Sequence, residues 1–165
     1  MNWIIRLSEL KDYSQLMAIE NQIWHLGNTP HVTTYETVED YQKQYTEGSQ
    51  LVARAEESEE IAGFLGFHNP TGLTTHQKTW VVDVGVHPDT QGKGVGTALL
   101  TAIKLLAAEQ GIHKLTLRVL ATNPAAIQLY QKNGFEIEGR LRDEFWIEDQ
   151  FIDDLLLAYF VSTAA

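Results

Sequence analysis

The stretch WVVDVGVHPDTQGKGVGTALLTAIKLLAAEQ, residues 80–110, decides how this chain folds. It opens with valines at alternate positions from Val82 to Val86, and this period of two in β-branched side chains predicts a central strand. Pro88 cannot continue a strand ladder, so it marks the strand's end. From about residue 95 apolar side chains recur at helical spacing, which predicts an amphipathic helix.

Strand and helix are joined by a glycine-rich turn, QGKGVGT, at residues 91–97. The first N–H groups of a helix lack an internal partner and carry partial positive charge, so they attract an anion. Gly92, Gly94 and Gly96 allow the backbone to approach such an anion closely, and Lys93 adds a positive charge. The turn therefore predicts a phosphate-binding site.

The spacing of the glycines indicates which phosphate is bound. A nucleotide-binding P-loop requires Ser or Thr after its lysine, but Gly94 follows Lys93 here, which disfavours a kinase. The dinucleotide pattern fails as well, because its third glycine would fall at residue 97 rather than at Gly96. The pattern that fits is Q-x-x-G-x-G, which resembles the acetyl-CoA pyrophosphate loop of GNAT-type N-acetyltransferases.

A second motif lies at residues 123–135, with the pattern N-P-A-A-x-x-L-Y-x-K-x-G-F. Asn123 is placed to cap a helix, Pro124 suits its first turn, and Gly134 follows its end. This string is similar to the second hallmark of the GNAT family, and it follows the glycine-rich turn in the expected order.

The resemblance implies an α/β (α+β) fold in a single domain over residues 1–165. A mixed central sheet of about six to seven strands would be flanked by about four helices, with the parallel pair splayed at the acetyl-CoA site. Residue patterns predict a helix over about 10–24 capped by Ser8, and a second helix from Thr33 or Thr34. They also predict strands at 51–55, 61–67 and 114–120, and a closing hairpin that turns at I-E-D-Q before Phe151.

Acetyl-CoA is the co-substrate that the resemblance implies, and its contacts would come from both motifs. The implied cofactor-binding residues are Val84, Val86, Gln91, Gly92, Lys93, Gly94, Val95, Gly96, Thr97, Asn123, Ala126 and Tyr130. No metal is expected, because the histidines show no H-x-x-x-H spacing and thioester transfer needs no Lewis acid.

Tyr130 and Asp83 are the candidate catalytic residues. The family places a tyrosine at the position of Tyr130, where a phenol can protonate the leaving thiolate. A backbone N–H between residues 84 and 86 would polarise the thioester carbonyl, and Gly85 would tolerate a bulge there. Asp83 alternates with the valines and is the candidate general base, with His87, His76 or a chain of waters as alternatives.

The resemblance implies an amine acceptor that lies under the first two helices and the loop between them. Candidate substrate contacts there are Trp24 and Tyr35, with His25 and Tyr41 beside them, and each of these side chains also suits simple packing. The acceptor could be a small-molecule amine, an amino acid, a polyamine or a protein N-terminus. A non-catalytic CoA-binding regulatory module is the alternative function.

Composition limits the remaining partners. The formal net charge of −10 disfavours nucleic acid as a partner, and an acidic surface would favour a cationic amine. Without cysteines the chain cannot form an acyl-cysteine intermediate, so transfer must be direct. No stretch reaches transmembrane length, so a cytoplasmic protein without membrane contact is expected, with a homodimer possible.

Overall fold

The computed structural model describes residues 2–162. Seven strands and four helices follow one another: β1 Trp3–Leu7, α1 Tyr13–Ile23, α2 Val38–Gln44, β2 Gln50–Ala55, β3 Ile61–His68, β4 Thr79–Val86, α3 Val95–Glu109, β5 Lys114–Leu120, α4 Pro124–Lys132, β6 Glu136–Ile147 and β7 Gln150–Phe160. Hydrogen bonding orders the strands β1-β2-β3-β4-β5-β7-β6 in one mixed sheet. The predicted α/β fold class is confirmed.

Strands β4 and β5 form the predicted parallel pair. Their ladder runs from Thr79 opposite Lys114 to Val81 opposite Thr116, although β4 extends to Val86 and β5 to Leu120. The ladder is thus confined to the start of both strands.

By the density of their contacts, the described residues divide into two compact units. The first unit contains residues 2–23, 33–68 and 82–106. Within it, α1 and α3 pack on opposite faces of β3 and β4. A Cβ added at Gly85 would strike Phe64 and Ile23 of α1, whereas one added at Gly63 would strike Val95 of α3 and contact Leu99. Both helices therefore approach the sheet at positions where only glycine leaves room.

The second unit contains residues 24–32, 69–81 and 107–162. Its core includes the fully buried Leu115 and Leu157, which face the interior from β5 and β7. The predicted closing hairpin is confirmed, because Glu148 and Asp149 turn the chain between β6 and β7 with φ of 49° and 62°. Positive φ at both central residues is typical of a tight hairpin turn.

Two predicted helix starts are wrong. Ser8 does not cap the first helix; Glu9 caps a 3₁₀ turn that leads into α1, and Asp12 completes the capping box. The second helix begins at Val38, where Thr37 Oγ1 accepts a hydrogen bond from the Asp40 N–H at 3.1 Å. It cannot begin earlier, because the Asn21 side chain already bonds both the N–H and the C=O of Tyr35, at 2.9 Å each.

Within residues 2–162, the structure has no helix with the length and apolar character needed to cross a membrane.

Candidate active site

The glycine-rich turn follows β4 in the first unit. After a 3₁₀ turn at Pro88–Thr90, the chain takes left-handed conformations at Gly92 (φ 76°) and Gly94 (φ 83°). The first bond of α3 runs from the Ala98 N–H to the Gly94 C=O at 3.0 Å. Helix geometry therefore gives the amides before Ala98 no intrahelical acceptor.

Hydrogen bonds from Trp3 and Thr90 hold this turn in place, and the space next to its glycines is open. The Trp3 indole donates a hydrogen bond to the Lys93 carbonyl at 3.0 Å, and Thr90 Oγ1 donates one to the Ala62 carbonyl at 2.8 Å. A Cβ at Gly92 or Gly94 would meet no atom within 4 Å, so open space lies before the turn. The exposed residues 91–94, an aligned helix of 15 residues and Lys93 fit the diphosphate of coenzyme A.

Asp83 lies on β4 in the same unit, where neighbouring strand β3 leaves space for its carboxyl group. A Cβ added at Gly66 would lie 2.5 Å from Asp83 Oδ1, so any larger residue there would displace the carboxyl. Burial raises the pKa of Asp83 above its ordinary value of 3.8, and His68 opposes this rise. Yet Asp83 keeps part of its solvent exposure. A carboxyl that is both surrounded by protein and accessible to solvent is suited to receive a proton from a ligand.

Three tyrosines, Tyr35, Tyr41 and Tyr45, form what we call the tyrosine cluster. Their rings meet edge-on or tilted, with the Tyr41 centroid 5.0 Å from that of Tyr35 and 4.8 Å from that of Tyr45. Burial raises the pKa of all three phenols, and the negative charges of Glu20 and Asp83 raise it further. The tyrosine cluster and the two carboxyl groups thus share one electrostatic environment.

The two histidines considered as alternative bases both have structural roles. His87 Nδ1 accepts a hydrogen bond from the Asp89 N–H at 3.0 Å and so caps the 3₁₀ turn. His76 Nδ1 lies 3.1 Å from Thr71 Oγ1 in an exposed loop. These contacts favour Asp83 over either histidine.

The remaining candidate residues belong to the second unit. Asn123 caps α4, with its Oδ1 accepting from the Ala126 N–H at 3.3 Å. Tyr130 is only 7% exposed, and its ring packs edge-on against Phe135 with centroids 5.6 Å apart. Trp24 is half-buried directly after α1.

One subset of the predicted site therefore lies within a single compact unit. Asp83, Val84, Val86, Tyr35 and the turn at residues 91–97 share the first unit, whereas Trp24, Asn123, Ala126 and Tyr130 share the second. Within residues 2–162, no group of three or more histidine, aspartate or glutamate side chains is arranged to hold a metal ion.

Sequence reasoning missed four residues that shape the surroundings of Asp83. They are Glu20, Tyr45, Gln50 and Gly66. Glu20 could have been noticed, because it is a charged residue at a position on α1 where helical spacing from Leu16 calls for an apolar one. Gln50 and Gly66 carry no comparable signal, since their roles depend on which side chains face them across the fold.

Comparison with known proteins identifies the family to which this chain is similar. A model of the acetyltransferase (GNAT) family matches residues 14–135. The L-methionine sulfoximine/L-methionine sulfone acetyltransferase of Pseudomonas aeruginosa is 26% identical over 147 residues, which cover 86% of this chain and 84% of that protein.

Solved structures agree in fold. The crystal structure of smu.2055 from Streptococcus mutans is 25% identical, with a TM-score of 0.86 and coverage of 96% of this chain and 99% of that one. A GNAT superfamily phosphinothricin acetyltransferase from Sinorhizobium meliloti, in complex with acetyl-CoA, has a TM-score of 0.85 at 16% identity, covering 98% and 90% of the two chains. The chain therefore belongs to the GNAT family of acetyltransferases, and it is an acyltransferase whose acetyl donor is acetyl-CoA.

Proposed function

We propose that this chain transfers the acetyl group of acetyl-CoA directly to the primary amine of a small molecule. The observation that carries the proposal is Asp83, a half-buried carboxyl with a raised pKa in the same unit as the phosphate-binding turn. Direct transfer follows from the absence of cysteine in the sequence, since no acyl-cysteine can form.

Asp83 is assigned as the general base. An amine attacks a thioester only after it loses its extra proton, so a carboxylate near the acceptor nitrogen must take that proton directly or through one water. Because burial raises the pKa of Asp83, its carboxylate is a stronger base than an ordinary aspartate. Gly66 holds it in place by leaving the space that its carboxyl occupies.

The donor would be held by residues of both motifs. The amides of residues 92–97 and the Lys93 ammonium would bind the diphosphate, and Asn123 and Ala126 would contact the pantetheine arm. The donor supplies an activated acetyl group as a thioester. A backbone N–H between Val84 and Val86 would stabilise the negative charge that develops on its carbonyl oxygen.

Tyr130 is assigned as the general acid. We expect its Oη to donate a proton to the leaving sulfur, so that free coenzyme A departs as a thiol. Its near-complete burial supports the role, since a phenol transfers a proton more readily in a site that excludes water.

Names of related proteins support a small acceptor. The Pseudomonas aeruginosa relative is named for acetylating L-methionine sulfoximine and L-methionine sulfone, and the Sinorhizobium meliloti structure is a phosphinothricin acetyltransferase. All three acceptors are small molecules with one primary amine. A peptide acceptor, a homodimer and a cytoplasmic location stay predictions.

Two measurements test the proposal. Release of the coenzyme A thiol would be followed with a panel of primary amines, and coenzyme A binding would be measured by calorimetry. Asp83→Asn should lower kcat/KM by about 10²–10⁴-fold and Tyr130→Phe by about tenfold or more, with coenzyme A affinity nearly unchanged in both. Thiol release that is unaltered in Asp83→Asn would contradict the assignment of the base. A chain that binds coenzyme A but acetylates no amine would contradict the function itself.

A further inference from the structure

We propose that the tyrosine cluster, together with Glu20, Gln50 and Asp83, selects a cationic primary amine that carries no carboxylate. The acceptor would then be an alkylamine, a diamine or a similar amine, and in this it would differ from the amino acids for which the Pseudomonas aeruginosa relative is named. This inference rests on the proposed function, because it names the acceptor of the same site.

The charges around the tyrosine cluster are negative. Glu20 is only 6% exposed on α1, and its negative charge and that of Asp83 on β4 both act on these rings. Within the first unit, the charges that act on Tyr35 come from Glu20 and Asp83, and no lysine or arginine is among the groups that act on Asp83 or Tyr35. A positive ligand would be attracted by these negative charges, whereas a carboxylate in the ligand would meet like charge in a partly dry site.

Gln50 supplies an independent indication that a donor belongs here. Its side chain is fully buried, and its Nε2 donates to Tyr41 Oη at 2.9 Å, which places the amide against the tyrosine cluster. Its Oε1 accepts no hydrogen bond from any of residues 2–162. Buried polar atoms nearly always have a partner, and a carbonyl oxygen can only accept. An ammonium group would provide the missing N–H.

The tyrosine rings offer the third element of recognition. Faces of aromatic rings attract cations, including ammonium groups, within about 6 Å of the ring centroid. Tyr35 and Tyr45 are half-buried and so keep a surface that a ligand can reach, while Tyr41 is fully buried behind them. Asn21 fixes Tyr35 by bonding both sides of its peptide backbone. The backbone that carries this ring is therefore held in place.

The reaction balances with such an acceptor. The ammonium loses one proton to Asp83, and its nitrogen forms a bond to the acetyl carbon as the carbon–sulfur bond breaks. The sulfur takes the proton of Tyr130, and the second proton that the nitrogen loses as the amide forms passes through solvent to restore the Tyr130 phenol. In a diamine, the second ammonium keeps its charge throughout and can remain against the tyrosine cluster and Glu20.

Matched pairs of acceptors that differ only by a carboxylate test the inference. The pairs are 1,4-diaminobutane with ornithine, agmatine with arginine, and tyramine with tyrosine. We expect the member without the carboxylate to have a kcat/KM at least about tenfold higher in each pair, as a buried like-charge contact implies. Equal values, or higher values for the amino acids, would overturn the inference while leaving amine acetylation intact.

A binding readout separates this inference from the proposed function. If no amine is acetylated, the proposed function fails, and calorimetry with 1,4-diaminobutane and with ornithine then decides the inference. Tighter binding of 1,4-diaminobutane supports it, and equal or weaker binding overturns it.

Variants identify the groups responsible. Tyr35→Leu should lower the affinity for 1,4-diaminobutane by about threefold or more. Tyr35→Phe keeps the aromatic ring and should lower this affinity less. Glu20→Gln should lower the preference for 1,4-diaminobutane over ornithine several-fold. Glu36→Gln, which removes an exposed charge from the same region of the chain, should leave the preference unchanged. If Glu20→Gln fails to fold, the two Tyr35 variants decide, and equal weakening by Leu and Phe counts against ring recognition.

Discussion

At the level of single residues, the placement of Asp83 depends on a glycine that is distant in sequence. Gly66 on β3 has no side chain, and an added Cβ would lie 2.5 Å from Asp83 Oδ1 and 3.2 Å from Cγ. We predict that Gly66→Ala displaces the carboxyl group and lowers kcat about tenfold or more, because small displacements of a catalytic group have large effects on rate. Coenzyme A affinity should not change. The measurements are steady-state kinetics and calorimetry.

A matched alanine substitution provides the control for Gly66→Ala. Gly72 lies in an exposed loop, and a Cβ there would contact nothing within 4 Å. Gly72→Ala should therefore retain full activity. If Gly66→Ala were as active as Gly72→Ala, Asp83 would tolerate displacement and could not be the base that removes the proton.

Helix α1 shows how a charged pair fixes the start of an element. Both Arg6 NH groups bond the Asp12 carboxylate, at 2.7 and 2.8 Å, and the Glu9 N–H bonds it at 2.8 Å. Burial alone would raise the pKa of Asp12, but the bonds from Arg6 and Glu9 outweigh burial and lower it below 3.8. The ionised form is therefore the one that stabilises the fold.

The stability contributed by Asp12 should depend on pH in one direction. It is fully present above the unfolded-state pKa of 3.8 and is lost as pH falls through the lower pKa of the folded state. We predict that Asp12→Asn lowers the free energy of unfolding by about 1–3 kcal/mol at pH 7 in urea titrations. The difference from the parent should narrow as pH falls below about 4. A difference that stays constant from pH 7 to pH 3 would show that ionisation of Asp12 is irrelevant.

The turn before α3 can be tested with another pair of glycines. Gly94 (φ 83°) and Gly48 (φ 80°) both adopt left-handed conformations, and an added Cβ at either would meet no atom within 4 Å. Alanine at each should thus cost a similar 1–2 kcal/mol of backbone strain. Only Gly94→Ala should also lower the affinity for coenzyme A, by about tenfold or more in calorimetry, because its Cβ occupies the space that we assign to the diphosphate. Equal coenzyme A affinity in the two variants would remove that assignment.

Helices and strands whose ends are set by capping or turn residues within the same segment could be predicted from the sequence. Ends that are set by hydrogen bonds from residues distant in sequence could not. Strand β5 spans Lys114–Leu120 as predicted, and Asn123 and Pro124 open α4 as their types require. Helix α2 begins later than predicted because Asn21, on another helix, hydrogen-bonds both the N–H and the C=O of Tyr35. A capping side chain can be recognised in the sequence. A side chain from another element that hydrogen-bonds the same backbone groups cannot.

At the scale of the whole molecule, the same distinction separates the donor site from the acceptor site. The donor turn is one continuous segment, so its glycine spacing alone could indicate a phosphate and, by resemblance, coenzyme A. The acceptor environment joins Glu20, Tyr35, Gln50 and Asp83 from four separate parts of the chain. Their common environment depends on the order of the strands and on the packing of α1 and α2. Local sequence patterns predict neither of these.

Net charge gives a prediction that belongs to the molecule as a whole. The chain carries a formal charge of −10, so its field attracts a cationic amine and repels the anionic coenzyme A. Raising ionic strength from 0.01 to 0.15 M shortens the screening length from about 30 to about 8 Å and weakens both effects. We expect kcat/KM for 1,4-diaminobutane to fall several-fold over this range. KM for acetyl-CoA should fall as well, because weaker repulsion favours its binding.

A singly charged amine such as butylamine serves as the control, and its kcat/KM should respond less to salt than that of the diamine. If salt moved the diamine and butylamine equally, or raised KM for acetyl-CoA, the long-range field of the protein would have no part in acceptor capture, and selection of cations would be confined to contacts with the tyrosine cluster.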